Sequence, residues 1–246
     1  MPSAQQLQLE FAQRDISFQY AQLTQPQNTP KGIYVQLDDD DTHLWHCIIF
    51  VSGGPFNGGI FRFDIVFPPS YPSSTPQVFF PPTLLHPLVD PDSGRMLLSS
   101  KFPGAWKSRQ DFVSHILAFV KGAFEERSLE NLREGQVANA EVYRMFRTHR
   151  SLFNKLALQS VALSTAPSSL YDVSGGSGFP NPSVGLNKAN PAKVAIGKEA
   201  PSRPVGMDEA NGILFRKLDD EEMANLRRDI FGEEQEAQSP ESPKPL

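Results

Sequence analysis

The chain has 246 residues, of which 39% are hydrophobic and 18 are phenylalanines, so it can build one domain with a sizeable appendage or two small domains. Its formal net charge is -5, and 11 acidic against 5 basic residues lie from Met207 onward, which leaves residues 1–206 nearly neutral. The sequence has neither a long basic stripe nor an apolar run of ~18 residues, which argues against a phosphate-driven nucleic-acid binder and a membrane-spanning helix.

The single cysteine, Cys47, excludes an intramolecular disulfide and a CxxC metal site, and it is typical of a reducing compartment. It lies in a predicted strand on the same face as Trp45 and Ile49, so we expect a buried core thiol rather than a reactive one. The first 15 residues lack the apolar core of a signal peptide. We therefore expect a soluble cytosolic or nuclear protein without a metal or cofactor.

The N-terminal segment predicts a helix over about residues 4–20. Ser3 and Gln6 have the spacing of a capping box, and six apolar residues then recur at roughly helical spacing. These residues are Leu7, Leu9, Phe11, Ile16, Phe18 and Tyr20.

Four strands follow. They read GIYVQL (32–37), LWHCIIFVS (44–52), GIFRFDIVF (59–67) and QVFF (77–80). In the third strand apolar residues alternate with Arg62 and Asp64, which is the pattern of a sheet with one buried face. The aspartate run before the second strand could bind a cation, but a solvated hairpin turn is the favoured interpretation. Together these segments predict a four-stranded antiparallel meander followed by a proline-rich crossover.

Helices are predicted after the crossover. Residues 110–126 place five apolar side chains on one helical face, and residues 139–163 predict one or two further helices that close the domain near residue 165. The apolar face consists of Phe112, Ile116, Phe119, Val120 and Phe124.

The C-terminal part divides into three predicted segments, after a domain over residues 1–165. These are a flexible Pro/Gly/Ser-rich linker over 166–207, an amphipathic helical segment over 208–232 and a disordered acidic tail over 233–246.

The amphipathic segment predicts a helix over 213–231. Asp219 is its N-cap, Glu222 completes a capping box, and Gly232 follows the last turn. We expect this helix to dock on a partner or on its own domain. Its candidate partner-binding residues are Leu218, Met223, Leu226, Ile230 and Phe231.

The order of these elements, and the motifs within them, resemble the α+β fold of ubiquitin-conjugating enzymes over about residues 4–160. A Gly-Gly hairpin precedes an aromatic strand, a Phe-Pro, a Tyr-Pro and a further proline. His86 and Pro87 match the start of the family's His-Pro-Asn motif, and Trp106 matches the tryptophan downstream. The other matching positions are Gly58, Gly59, Phe67, Pro68, Tyr71, Pro72 and Pro76.

The resemblance also implies that the catalytic site is degenerate. The family transfers ubiquitin through a thioester on a cysteine that lies three residues after a turn glycine. Counted from Gly94 that position is Leu97, and counted from His86 it is Met96. Leu88 replaces the asparagine of the motif. We therefore expect no catalytic residue, with a serine nucleophile at Ser99 or Ser100 as a remote alternative.

Within this family the chain is most similar to the fused toes family, also called AKT-interacting proteins, on the motif HPLVDPDSG and the helix AEVYRMFRTHRSLFNKLALQSV. That resemblance implies a non-catalytic cytoplasmic scaffold, which joins a Hook-type coiled-coil adaptor and an FHIP-type protein and links endosomes or vesicles to dynein and microtubules. The alternative is a variant that pairs with an active conjugating enzyme or binds ubiquitin. Candidate positions for a partner surface are Phe56, Phe79, Phe80, Leu84 and Leu85.

Overall fold

The computed structural model describes residues 4–104, 106–171 and 215–231. The chain divides into two compact units, of which the second begins at Phe215. The predicted linker lies outside the described residues from residue 172 onward, and so does the predicted acidic tail. Within the described ranges, no helix combines the length and the apolar character needed to cross a lipid bilayer.

The first unit begins with helix α1 (Ala4–Leu23). Its buried face consists of Ala12, Ile16 and Gln19. Of the six apolar residues whose spacing predicts the helix, Leu7, Leu9, Phe11 and Phe18 are exposed. Three of these four lie at positions i, i+4 and i+11, on the side of the helix that faces away from Ile16.

The predicted four-stranded antiparallel meander is confirmed, with strand order β1-β2-β3-β4. Its strands are β1 (Ile33–Leu37), β2 (Leu44–Phe50), β3 (Ile60–Val66) and β4 (Gln77–Phe79). In the central pair Trp45 lies opposite Ile65, and Cys47 lies opposite Phe63. This register places three apolar residues from each strand on one face, where they join the hydrophobic core. These residues are Trp45, Cys47, Ile49, Phe61, Phe63 and Ile65.

In the described part of the first unit, six helical elements follow the sheet. They are α2 (Val113–Ala123), α3 (Glu126–Glu130), a 3₁₀ turn (Glu134–Gln136), α4 (Ala140–Thr148), α5 (Arg150–Ser164) and α6 (Pro167–Tyr171). The predicted helix over 110–126 therefore ends at Ala123, and the predicted stretch over 139–163 divides in two at His149, whose φ of -134° and ψ of 60° interrupt the helix.

Side chains from distant parts of the chain satisfy the backbone where these elements meet. The Val113 N–H at the start of α2 donates to Gln19 Oε1 at 3.0 Å, because Phe112 at the N-cap has no oxygen to offer. The buried Ser160 accepts from the Leu85 N–H at 3.1 Å. Such bonds remove the cost of leaving buried polar groups unpaired.

The aromatic core centres on Phe56. The centroid of its ring lies 5.4 Å from the ring centroid of His86, 5.5 Å from that of Phe124 and 6.0 Å from that of Phe153. Phe56, Phe80 and Leu84 are buried, so the expectation that they line a partner surface is wrong. Phe79 and Leu85 are half-buried. Aromatic residues in turns and short strands look like surface anchors in a linear sequence, but here they fill the space between the sheet and the helices.

The second unit contains the tail helix (Asp220–Phe231). The predicted helix over 213–231 begins at Asp220 within the described residues, and residues 213–214 lie outside them. The predicted capping box is confirmed, because the Glu222 N–H donates to Asp219 Oδ1 at 2.7 Å and the Asp219 N–H donates to Glu222 Oε2 at 3.1 Å. Arg216 adds a bidentate ion pair to Glu222 at 2.7 and 2.8 Å. All of these groups are local to the helix start.

Candidate functional site

His86, the first residue of the degenerate motif, is a buried structural residue. Its Nε2–H donates to the Ala123 carbonyl oxygen at 3.1 Å, and its Nδ1 accepts from the Leu88 N–H at 3.1 Å. Both ring nitrogens are therefore occupied, in one fixed tautomer. Burial lowers the pKa of His86 to about 4, against a smaller opposing effect of the bond to Ala123, so the ring is neutral at pH 7.

Pro87 and Leu88 fasten the turn to the helical part of the domain. The Pro87 carbonyl oxygen accepts from the N–H groups of Ala138 and Asn139, both at 2.9 Å. Leu88, at the position of the family's asparagine, is buried and forms part of the lining of a cavity of about 280 Å³ with Phe119 and Ala123. A leucine side chain at this position can neither donate to nor accept from a reacting group.

The acidic turn after Leu88 closes on Gly94. Gly94 has a φ of +70°, and a Cβ at this position would lie 2.2 Å from the Phe80 carbonyl oxygen. The Phe80 N–H donates to the Gly94 carbonyl oxygen at 2.8 Å, which joins the turn to the end of β4. Asp90 accepts from the backbone and side chain of Ser93, and these bonds lower the pKa of Asp90. The turn thus requires a residue without a side chain at Gly94.

Met96 and Leu97 occupy the two candidate positions for the catalytic cysteine. Met96 is buried, and its N–H donates to the Val78 carbonyl oxygen at 2.8 Å. Leu97 is half-buried, and its N–H donates to the Leu88 carbonyl oxygen at 2.8 Å. The structure therefore brings Leu88 and Leu97 together through the backbone, and neither position carries a nucleophilic atom.

An open groove of about 510 Å³ lies beside these residues. Leu97, Met96 and Phe102 give it an apolar side, whereas Gln77 and Arg95 contribute polar groups. The groove therefore lies next to Met96 and Leu97, the two candidate positions for the catalytic cysteine.

The other groups that could act as nucleophiles are poorly placed for it. Cys47 is buried as predicted, and burial, reinforced by the charge of Asp64, raises the pKa of its thiol well above the ordinary value. Ser99 and Ser100 are exposed. A serine needs a positioned base, and both nitrogens of His86 are already bound to other groups.

Sequence reasoning missed a polar cluster on the other face of the sheet. His46 on β2 lies between Asp38, which follows β1, and Asp64 on β3. The period-two alternation already places His46 and Asp64 on the face opposite Trp45, but only the register of the two strands brings them together. In the described residues, no group of His, Cys, Asp and Glu side chains is arranged to hold a metal ion.

The candidate partner-binding residues of the tail helix are largely open to solvent. Met223, Leu226 and Ile230 are 40, 44 and 63% exposed, and Leu218 just before the helix is half-buried. The side chain of Phe231 lies outside the described ones. Positions i, i+3 and i+7 place the three exposed residues along one face of the helix.

Comparison with known proteins identifies the class to which this fold and loop belong. A family profile described as "Ubiquitin-conjugating enzyme" matches residues 13–161, which is more than half of the chain. The chain therefore belongs to the ubiquitin-conjugating enzyme family.

The relatives found among curated proteins define its neighbours within that family. The protein crossbronx homolog of Anopheles gambiae is 33% identical over 124 residues, or 50% of this chain and 54% of the relative. The AKT-interacting protein of Homo sapiens is 26% identical over 136 residues, or 55% of this chain and 44% of the relative. The chain thus matches about half the length of these relatives. The predicted resemblance to the fused toes family is confirmed.

Proposed function

We propose that this chain is a non-catalytic scaffold that uses a ubiquitin-conjugating fold to bind other proteins. The observation that carries the proposal is the geometry of the degenerate loop. By the family resemblance, Leu97 or Met96 stands at the position of the catalytic cysteine and Leu88 at that of the asparagine. Both nitrogens of His86 are hydrogen-bonded to the backbone. The loop has the hydrogen bonds of a stable turn and lacks the groups that would perform acyl transfer.

Incubation with a ubiquitin-activating enzyme, ubiquitin and MgATP tests the loss of catalysis. We expect no covalent adduct on a non-reducing gel, whereas an active conjugating enzyme in the same mixture charges fully. The matched variant is Cys47→Ser. A thiol-sensitive adduct that disappears in Cys47→Ser would assign activity to Cys47, and an alkali-sensitive adduct that persists would point to a serine. Either result contradicts the proposal.

The proposed partner-binding segment is the tail helix with Leu218, Met223, Leu226, Ile230 and Phe231. A capping box and a bidentate ion pair stabilise its start, while the described side chains of its apolar face are open to solvent. Burying three such side chains on a partner would contribute roughly 2 kcal/mol each before the cost of association. This is the pattern of an amphipathic helix that binds in a groove.

We further propose, from the family resemblance, that the partners are a Hook-type coiled-coil adaptor and an FHIP-type protein. The complex would be cytoplasmic, and through its partners it would associate with endosomes or vesicles and link them to dynein and microtubules. The human relative's name, AKT-interacting protein, describes a protein defined by a protein partner, which supports a binding role.

Affinity purification of the full chain from cells tests the partners. We expect a coiled-coil adaptor and an FHIP-type protein with the wild type, and their loss with Leu226→Asp and Ile230→Asp combined. The control combines Ala224→Asp and Asn225→Asp, which adds the same charge away from the apolar face. Recovery of an active conjugating enzyme or ubiquitin without a coiled-coil protein would contradict the trafficking role and support the alternative variant function.

A further inference from the structure

His46 makes two contacts that do not belong to the loop or to the tail helix. Its Nδ1 lies 2.9 Å from Asp64 Oδ1, and its Nε2 lies 3.1 Å from Asp38 Oδ2. Asp64 is in the middle of β3, and Asp38 begins the turn that joins β1 to β2. The imidazole ring therefore bridges the β1–β2 turn and the third strand of the sheet.

The two carboxylates determine the protonation state that this bridge requires. An ionised carboxylate only accepts hydrogen bonds, and a neutral imidazole has one N–H to donate. Both contacts are hydrogen bonds at once only when the ring carries two protons. Asp64 is 4% exposed, so water cannot easily replace a lost donor there, and an unsatisfied buried carboxylate is costly.

The charged groups around His46 favour its protonated form. The hydrogen bond to Asp64 raises the pKa of His46, and the opposing effect of burial is outweighed with the help of Asp38. Burial lowers the pKa of Arg62 on β3, and the charge of Asp64 opposes that effect. The charge of Asp64 also contributes to the raised pKa of the Cys47 thiol on β2.

Asp38 is held from the turn side by further donors. Its Oδ1 accepts from the Asp40 N–H at 2.9 Å and from the Asp41 N–H at 2.8 Å. Burial would raise the pKa of Asp38, but the bonds from His46 and from these backbone groups lower it. The turn is thus organised around Asp38. The Asp38 N–H also donates to the Leu44 carbonyl oxygen on β2 at 3.0 Å, and His46 ties the Asp38 side chain to the sheet.

We propose that His46 is a proton-dependent clamp, which holds the β1–β2 turn against β3 when the ring is doubly protonated and loosens the turn and β1 when one proton leaves. Among the residues that the structure describes, β1 is an edge strand of the sheet and pairs with β2 alone. A looser turn exposes the backbone of an edge strand, which is the part of a sheet most able to pair with another chain. The clamp is independent of the proposed partner-binding role of the tail helix.

The direction of the pH dependence follows from the pKa shifts. The pKa of His46 is higher in the folded state than the ordinary value of ~6.5. The clamp therefore contributes its full stability below pH ~6.5 and loses it as the pH rises through the folded value. Asp38 acts in the opposite range, because its contribution is lost as the pH falls below the ordinary aspartate value of ~3.9.

A nuclear magnetic resonance titration of the histidine ring signals in the full chain tests the clamp directly. We expect the His46 midpoint above ~6.5, and protection factors of the Asp40 and Asp41 amides, corrected for intrinsic exchange, that fall several-fold as His46 loses its proton. A His46 midpoint at or below the ordinary value would overturn the proposal, and so would turn amides whose protection is unchanged across the titration.

Two variants and one control distinguish an effect of the clamp from a general loss of structure. His46→Gln removes the titrating group. As the pH rises, the denaturation midpoint of the wild type should therefore fall more than that of His46→Gln. The control is His149→Gln at an exposed position, whose denaturation midpoint should follow that of the wild type. Asp38→Asn lies at the surface end of the bridge and should lower the His46 midpoint. An unchanged His46 midpoint in Asp38→Asn would contradict the proposed geometry.

Discussion

The loop from His86 to Ser100 and the tail helix satisfy their polar groups in opposite ways. The loop bonds to distant parts of the domain, namely to Ala123, to Ala138 and Asn139, and to β4. The bonds that cap the tail helix come from its own first turn and from Arg216. A segment tied to many elements is part of the fold, whereas a segment that is complete by itself can present its apolar face to something else.

This difference separates the residues that shape the loop from those that the family resemblance places at its catalytic positions. His86, Pro87 and Gly94 shape the loop through their hydrogen bonds and their close packing with the rest of the domain. At the positions where the family resemblance predicts an asparagine and a cysteine, the chain has Leu88 and either Met96 or Leu97. A loop can therefore have the shape of a family's catalytic turn without the side chains that perform its chemistry, because the shape and the chemistry depend on different residues.

The largest expected effect lies at the centre of the domain, beside the loop. We expect Phe56→Ala to lower the free energy of unfolding by about 4 kcal/mol, because it leaves a cavity among the rings of His86, Phe124 and Phe153. Urea denaturation measures the change. Phe11→Ala, at a side chain that is 63% exposed, is the matched control. A loss in Phe56→Ala as small as that in Phe11→Ala would mean that the Phe56 side chain is exposed and not part of the core.

The next largest effect is expected at low pH, where protonation of His86 should destabilise the domain. Because the folded pKa of His86 is about 4 and the unfolded value is ~6.5, the unfolded state takes up a proton first as the pH falls. Stability should therefore be fully present above ~6.5 and decrease by about 3 kcal/mol by pH 4. Denaturation at a series of pH values measures the loss. His86→Gln should show a shallower loss, and an identical profile in this variant would contradict the assignment.

Much of this architecture could be predicted from the sequence, because it depends on local patterns. Alternation in β3 gave the buried face, the residues around Asp219 gave the cap of the tail helix, and the burial of Cys47 followed from its strand position. The face of α1 could not be predicted in this way. Apolar residues lie on both sides of that helix, so periodicity alone does not identify the side that meets the core.

Contacts between segments that lie far apart in the chain could not be predicted from the sequence either. Gln19 bonds to Val113, and His46 bonds to Asp64, because strand register and helix packing place them together. The spacing of residues along the chain does not indicate which distant residues will be in contact. The same limit explains the incorrect expectation for Phe56 and Leu84, whose burial is set by elements that lie far away in the sequence.

A smaller effect is expected at Gly94. Gly94→Ala should destabilise the domain by about 2 kcal/mol, because alanine disfavours a φ of +70° and its Cβ would press on the Phe80 carbonyl oxygen. Thermal or urea denaturation measures this loss. Gly104→Ala is a suitable control, since a Cβ there meets no atom within 4 Å. Equal losses in the two variants would mean that the turn tolerates a side chain.

The smallest expected effect is in the tail helix. Asp219→Ala removes the side chain that accepts from the Glu222 N–H, and an N-cap of this kind is worth about 1 kcal/mol of helix stability. Because the remaining capping bonds are local, the loss should appear as faster amide exchange over 220–231, with no change in the denaturation midpoint of the domain. In contrast, Asn139→Ala removes the N-cap of α4, a buried side chain that accepts from the Val142 N–H at 3.0 Å, and should lower that midpoint. If both cap variants shifted the domain midpoint equally, the tail helix would be as much a part of the fold as the loop, and the contrast between the two regions would not hold.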